Sequence, residues 1–402
     1  MTAPRTIEFF FDYSCPYAYL GYTQIEAAAA RVGAKLSLEP MLLGGVFRAN
    51  DTPQKLFATL SPAKAKHNAE DMARWAELFG VTLRMPSEHP FRTVEALRAT
   101  IVTGVDPKVI RGFYDMYWVQ NRPVSDEAVM REVLTAAGHD ANAVLARIKD
   151  DDIKDDLRKR TDKAIAHGIF GAPSYVVDGE RMYWGQDRMH MALSLPAQDV
   201  YGGAVKESGN KMHTVDFFWD FSSPFAYLAS TQIPRLGERA KIVSRPMLLG
   251  GLFKSIGQAD VPLSTWSQQK QKYTFDDMHR WAAHWNVPFK FPSRFPMNSV
   301  KALRAYLALP ETRRADFQKK VFAAYWAEDR DISDDAVLSE LIGEGASDVL
   351  AKTQDPAVKQ ELIAATKYAE QKGVFGAPSF LVDDKDLFWG QDRIVLVERA
   401  LA

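Results

Sequence analysis

The sequence predicts an α/β protein built from two tandem copies of one domain, and three observations carry that prediction. The first is internal repetition. PMLLGG occurs at residues 40–45 and again at 246–251, ALRA at 96–99 and 302–305, GAPS at 171–174 and 376–379, and WGQDR at 184–188 and 389–393. The order is kept and the spacing is nearly constant, which marks a duplicated domain rather than a short-period solenoid. The second is punctuation: residues 195–213, LPAQDVYGGAVKESGNKMH, are rich in Gly, Ser and polar residues and read as a linker. The boundaries that follow are residues 1–196, a linker at 197–212, and residues 213–402. The third is the order of elements within each copy.

Each copy opens on an apolar run leading into a Ser/Cys-Pro step, FFFDYSCPYAYL at 9–20 and FFWDFSSPFAYL at 217–228. Thr6 to Phe11 reads as an aromatic-rich strand. Proline suits a first helical turn, because it lacks an N–H that would be unpaired there and its φ is preset. A helix is therefore expected from Pro16 to about Val32, with Gly33 as its stop. Residues 35–43 alternate Leu36 and Leu38 with polar residues, as a half-buried strand does. Helical patterns follow at 63–78, 94–103, 107–119 and 125–137, with two more pieces within 141–167. Residues 174–177 and 181–184, joined by Asp178 and Gly179, read as a hairpin. A last helix starts near Asp187. Strand, helix, strand, a long helical insertion, hairpin and helix make a thioredoxin-like α/β sheet carrying a helical subdomain.

At 402 residues, the chain has enough length for two such cores. A net charge of −1 and the lack of a dense Lys/Arg run give no basis for a nucleic-acid partner. No apolar stretch approaches a membrane span, and MTAPRTIEFF has no signal-peptide core. A single cysteine excludes an intramolecular disulfide and a Cys-rich metal site, and fits a reducing, cytoplasmic setting.

Cys15 and Ser223 precede the helix-starting prolines at equivalent points. A helix N-terminus favours a thiolate, and the pKa of a cysteine there can fall well below ~8.5. Against this, a lone cysteine is usually a small buried hydrophobe, and a serine at a helix start is usually a cap. Ser14 and Ser222 are available to do that capping instead. Ala18 stands where a redox CxxC would place its second thiol, which excludes a self-contained dithiol oxidant. The Ala172/Pro173 and Ala377/Pro378 steps precede a strand, a setting in which proline is often cis. The preceding alanine would then offer its backbone to a peptide-like ligand. Gln186 with Asp187, and Gln391 with Asp392, sit where a helix is expected to begin. A ligand carboxylate could bind that N-terminus while the Asp takes an ammonium. Lys66, Lys272 and Asn298 are further polar candidates, with a solvated helix face the plain alternative for the lysines.

These residues resemble the kappa-class glutathione transferases and the 2-hydroxychromene-2-carboxylate isomerases, glutathione-dependent relatives of the bacterial disulfide oxidases. The resemblance spans both copies through FFWDFSSPFAYL, PMLLGG, FPMNSVKALRA (295–305), GVFGAPSF (373–380) and WGQDR. It implies that Ser223 hydrogen-bonds the glutathione thiolate and that Ala377 and Pro378 pair with the tripeptide backbone. It further implies that Gln391 and Asp392 hold the γ-glutamyl end and that Asn298 lies on the substrate side. Cys15, Ala172, Pro173, Gln186 and Asp187 form the first copy's counterpart. That copy departs from the pattern with Cys15 for serine, Arg92-Thr93 for Asn298-Ser299, and His67 for Tyr273. The first site then either has altered chemistry, such as a mixed disulfide at Cys15 or carboxylate recognition by Arg92, or supports the second.

The resulting expectation is a glutathione-dependent, metal-free isomerase or transferase acting on a small aromatic electrophile. The two domains are expected to pack as an internal pseudo-dimer, with further homo-oligomers open. One alternative is a glutathione-linked thiol–disulfide enzyme working through Cys15. A second is a non-catalytic double domain that binds a peptide or partner.

Overall fold

A computed structural model describes residues 5–201, 212–259 and 262–402. The described residues divide into two compact units, one comprising residues 5–61, 68–201 and 267–269, the other 62–67, 212–259, 262–266 and 270–402.

In the first copy, β1 (Thr6–Phe11) leads into α1 (Pro16–Arg31), β2 (Lys35–Pro40) and α2 (Leu43–Ala49). The helical insertion follows as α3 (Pro62–Phe79), α4 (Val94–Val102), α5 (Pro107–Trp118), α6 (Glu127–Ala137), α7 (Ala141–Arg147) and α8 (Asp151–Ala166). The chain then forms the hairpin β3 (Ser174–Val177) and β4 (Arg181–Trp184), a 3-10 turn (Gln186–Arg188), α9 (Met189–Leu193) and α10 (Ala197–Tyr201).

The second copy repeats this plan with β5 (His213–Trp219), α11 (Pro224–Ser230), α12 (Ile233–Gly237), β6 (Ala240–Pro246) and α13 (Leu249–Ser255). Its insertion runs through α14 (Gln268–His284), α15 (Val300–Ala308), α16 (Glu311–Trp326), α17 (Asp335–Ile342), α18 (Ala346–Lys352) and α19 (Pro356–Gln371). It closes with β7 (Ser379–Val382), β8 (Asp386–Trp389), a 3-10 turn (Gln391–Arg393) and α20 (Ile394–Ala400).

Each sheet has four strands, in the orders β2-β1-β3-β4 and β6-β5-β7-β8. The first pair in each is parallel and the remaining pairs antiparallel. The apolar run of β1 explains its central place: Phe9, Phe10 and Phe11 are fully buried, one or more on each face of the sheet. Phe9 packs on Tyr175 of β3, while Phe11 meets Tyr13, Tyr22 and Tyr114. Each such ring contributes about 1.5–3 kcal/mol through burial.

Two expectations are corrected. The strand expected over 35–43 ends at Pro40, and the Leu-Leu-Gly-Gly part of PMLLGG turns into α2. Residues 197–201 of the expected linker form α10, with Val200 and Tyr201 buried and Tyr201 Oη 2.7 Å from His190 Nδ1. Residues 202–211 of that linker lie outside the described residues.

Candidate functional site

Strand register brings the scattered motifs together. Phe10 lies opposite Ser174 in the antiparallel β1/β3 pair, so the loop leaving β1 meets the loop entering β3. Cys15 Sγ accordingly donates to Ala172 O at 3.0 Å. In the second copy Phe218 lies opposite Ser379, and Ser223 Oγ donates to Ala377 O at 2.9 Å. The Ala172-Pro173 and Ala377-Pro378 bonds are both cis. Two further cis bonds, His89-Pro90 and Phe295-Pro296, have no forecast in the sequence reading.

The hairpin places WGQDR beside the same prolines. Trp184 pairs with Ser174, and the next amide, Gly185 N–H, donates to Pro173 O at 2.9 Å. The counterpart is Gly390 N–H to Pro378 O at 3.0 Å. Gly390 has φ 104°, and a Cβ there would stand 2.5 Å from Asp392 Oδ1. A side chain at this point would displace the Asp392 carboxylate, so glycine is required on both counts.

Gln186, Asp187 and Gln391 are buried. Gln186 Nε2 has no hydrogen-bond partner among the described residues. Asp187 and Asp392 pair with the adjacent Arg188 and Arg393 at 3.0 and 3.1 Å. These motifs occupy 3-10 turns, and the α-helices begin at Met189 and Ile394, a few residues later than expected.

Cys15 and Ser223 share one backbone conformation, with φ −99° in both and ψ 115° and 117°. Their side chains differ in what they do. Ser223 Oγ also accepts from Ala226 N–H at 3.1 Å and thus caps α11 itself, whereas Cys15 makes no such cap. Ser14 and Ser222 turn instead to the preceding acids: the Ser14 hydroxyl donates to Asp12 Oδ1 at 3.0 Å, and the Ser222 hydroxyl hydrogen-bonds Asp220.

The expectation of an acidified thiol at Cys15 is also corrected. Burial pushes that thiol up to about 12, outweighing the Ala18 and Tyr17 amides that pull it down, and the nearby Asp12 charge raises it further. A sequence pattern shows the helix start but not the desolvation that opposes it.

Several candidates make other contacts or face solvent. Arg92 is exposed, and its Nε–H is shared between the two carboxylate oxygens of Glu95, each at 2.9 Å. Asn298 is exposed and accepts from Val300 N–H at 3.0 Å, at the start of α15. Lys66 and Lys272 are exposed on α3 and α14.

The lysines two residues earlier, Lys64 and Lys270, are partly buried, and burial lowers both. Lys270 falls to about 8, with Nζ 4.3 Å from the Trp266 ring centre. Their equivalent positions in the two copies were the available signal. The sequence reading also missed Asp12 and Asp220, although an acid ending an aromatic strand recurs in both copies. It missed Trp118 and Trp326 as well, whose indole N–H groups each donate at 2.8 Å to the loop after β1 or β5, at Tyr13 O and Phe221 O. A cavity of about 540 Å3 between α5 and α6, lined by Lys108, Arg111, Met116 and Val133 among others, contains none of the candidate residues.

The DSBA-like thioredoxin domain family matches residues 6–195 and again 214–402. The chain belongs to this family. It does so twice over, as a tandem duplicate, and its relatives confirm the branch. A 2-hydroxychromene-2-carboxylate isomerase of Sphingobium xenophagum is 32% identical over 47% of this chain and 97% of its own length. A glutathione S-transferase kappa 1 of Rattus norvegicus is 30% identical over 50% of this chain and 94% of its own. A second 2-hydroxychromene-2-carboxylate isomerase, from Pseudomonas putida, is 28% identical over 46% of this chain and 93% of its own. Nearly whole relatives thus fit within half of this chain, as the duplication requires. Among the described residues, no helix is long and apolar enough to cross a membrane.

Proposed function

We propose that the chain is a glutathione-dependent isomerase or transferase of the 2-hydroxychromene-2-carboxylate isomerase type, with Ser223 activating the borrowed thiol. The observation that carries this reading is the Ser223 hydroxyl. It sits at the first turn of α11, accepts from the Ala226 amide and directs its proton to the carbonyl before the cis-proline. With the Ala226 bond kept, the O–H can swing from Ala377 O to a thiolate sulfur placed in the same gap, and the helix N-terminus adds favourable potential. A hydrogen bond that strengthens with charge lowers the thiol pKa.

The Ala377 backbone would pair with the cysteinyl part of the tripeptide, and the segment of Gln391 and Asp392, folded against Pro378 O, would hold the γ-glutamyl end. The thiolate then adds to an unsaturated small molecule, a bond in the adduct rotates, and the thiolate leaves again, so glutathione is regenerated. An aromatic-degradation intermediate suits this chemistry and the named isomerase relatives.

The first site would bind the same tripeptide with Cys15 as an S–H donor. A protonated, buried thiol disfavours the thiol–disulfide alternative, since the attacking species is the thiolate. Calorimetry of the full chain with glutathione tests the reading. Binding with release of a proton supports it, and no binding removes it.

A further inference from the structure

Asp220 is fully buried, yet its carboxyl reaches three separate segments of the second copy. Oδ1 accepts from Ser222 N–H at 2.9 Å, in the loop that carries Ser223. Oδ2 accepts from Leu249 N–H at 2.7 Å, the first residue of α13. Burial raises the Asp220 pKa, and the Ser299 hydroxyl, just before α15, hydrogen-bonds the same carboxyl and joins the other donors in opposing that rise. The main chain joins in, because Asp220 O accepts from Ser223 N–H at 3.1 Å.

The first copy repeats the arrangement. Asp12 accepts from Ser14 N–H at 3.0 Å and Leu43 N–H at 2.8 Å, with the Thr93 hydroxyl in the third place. The residue at the reactive position changed between the copies, and Ser299 became Thr93, but the acid and its two amides did not. No ion pair to Asp220 occurs among the described residues, so the carboxyl is held by dipoles alone. Burying an anion this way is costly, and an Asn could keep only part of the pattern. Its amide would turn an N–H toward the Ser222 or the Leu249 N–H.

We propose that Asp220 is a positioning residue: by tying the Ser223 loop to the starts of α13 and α15, it fixes the Ser223 hydroxyl where a bound thiol needs it. The inference rests on the proposed glutathione reading. It adds that the strength of thiol activation is set by a buried carboxylate that itself touches neither thiol nor substrate.

The test follows the ultraviolet thiolate absorbance of glutathione bound to the full chain as pH is varied, taking the component that Ser223→Ala abolishes. S-methylglutathione affinity and a thermal melt are measured in parallel. Asp220→Asn also removes a charge of the kind that raises the Cys15 thiol, which by itself would lower the bound-thiol pKa, so the net rise of about one unit that the proposal expects, a tenfold change in ionisation, reports lost positioning. S-methylglutathione should still bind within a few-fold. If Asp220→Asn does not fold, Ser299→Ala replaces it, since Ser299 makes no side-chain cap to α15. It should move the thiol pKa in the same direction by less. An unmoved or lowered thiol pKa in the folded variant overturns the inference alone, leaving Asp220 a structural acid. No thiolate signal in the wild type overturns the functional reading and this inference with it.

Discussion

Alkylation of Cys15 by iodoacetamide puts a number on how far burial suppresses the thiol of the first site. Burial sets the thiol at about 12, so at pH ~7.5 only ~3 parts in 100,000 are thiolate, against ~1 part in 10 for an unperturbed thiol at ~8.5. Ionisation alone therefore slows the reaction ~3,000-fold. The residue's 8% exposure and its bond to Ala172 O add steric protection to that. The chain has one cysteine, so intact-protein mass spectrometry reads the reaction directly. The same chain unfolded in denaturant supplies the reference rate. We expect native alkylation at neutral pH at least ~1,000-fold slower than the reference, rising with each pH unit into the alkaline range. A native rate within tenfold of the reference, or a reactivity midpoint below pH ~7, would refute the reasoning and restore Cys15 as a redox nucleophile.

Three other outcomes follow from the same contacts. Ser223→Ala removes a helix cap and leaves Ala377 O without its donor, which should cost about 1–2 kcal/mol in denaturant melts. Thiol addition to a model electrophile should slow ~100-fold or more, with S-methylglutathione affinity nearly unchanged; equal losses in both would point to a binding role instead. Gly390→Ala forces a Cβ against Asp392 and should weaken glutathione binding at the second site at least ~10-fold by calorimetry, at a stability cost of about 1–3 kcal/mol. Lys270 titrates at about 8 instead of 10.5, so the unfolded chain holds its proton to higher pH and the wild type gains stability as pH rises through that window. Lys270→Met should consequently be more stable than wild type by about 1–3 kcal/mol near neutral pH, a gap that closes toward pH ~10; a gap that widens with pH would show the sign to be wrong.

The architecture was legible because duplication prints every motif twice and because aromatic strands and the Asp178/Gly179 turn are local signals. What the sequence could not carry was register. Cys15 and Ala172 are far apart in the chain, and only the pairing of Phe10 with Ser174 joins them. The misread end of β2 has the same origin. Leu42, Leu43 and the glycines after them have no period of their own, and α2 starts where Asp12 accepts the Leu43 amide. Helix position alone suggested a reactive thiol at Cys15, and burial, a property of the whole domain, reversed it. The lysines show the limit of choosing by residue type. Lys66 and Lys272 face solvent, while Lys64 and Lys270, half a turn away, are the partly buried pair.

The central claim is that Ser223 holds a bound glutathione thiol as thiolate. Its most direct measurement is the ultraviolet difference spectrum of glutathione added at neutral pH to the Cys15→Ala chain, which has no thiol of its own and no hydroxyl at the first site, and to the same chain carrying Ser223→Ala. The account predicts a thiolate band in the first that is absent or strongly reduced in the second. An equal band in both, or none in either, would contradict it.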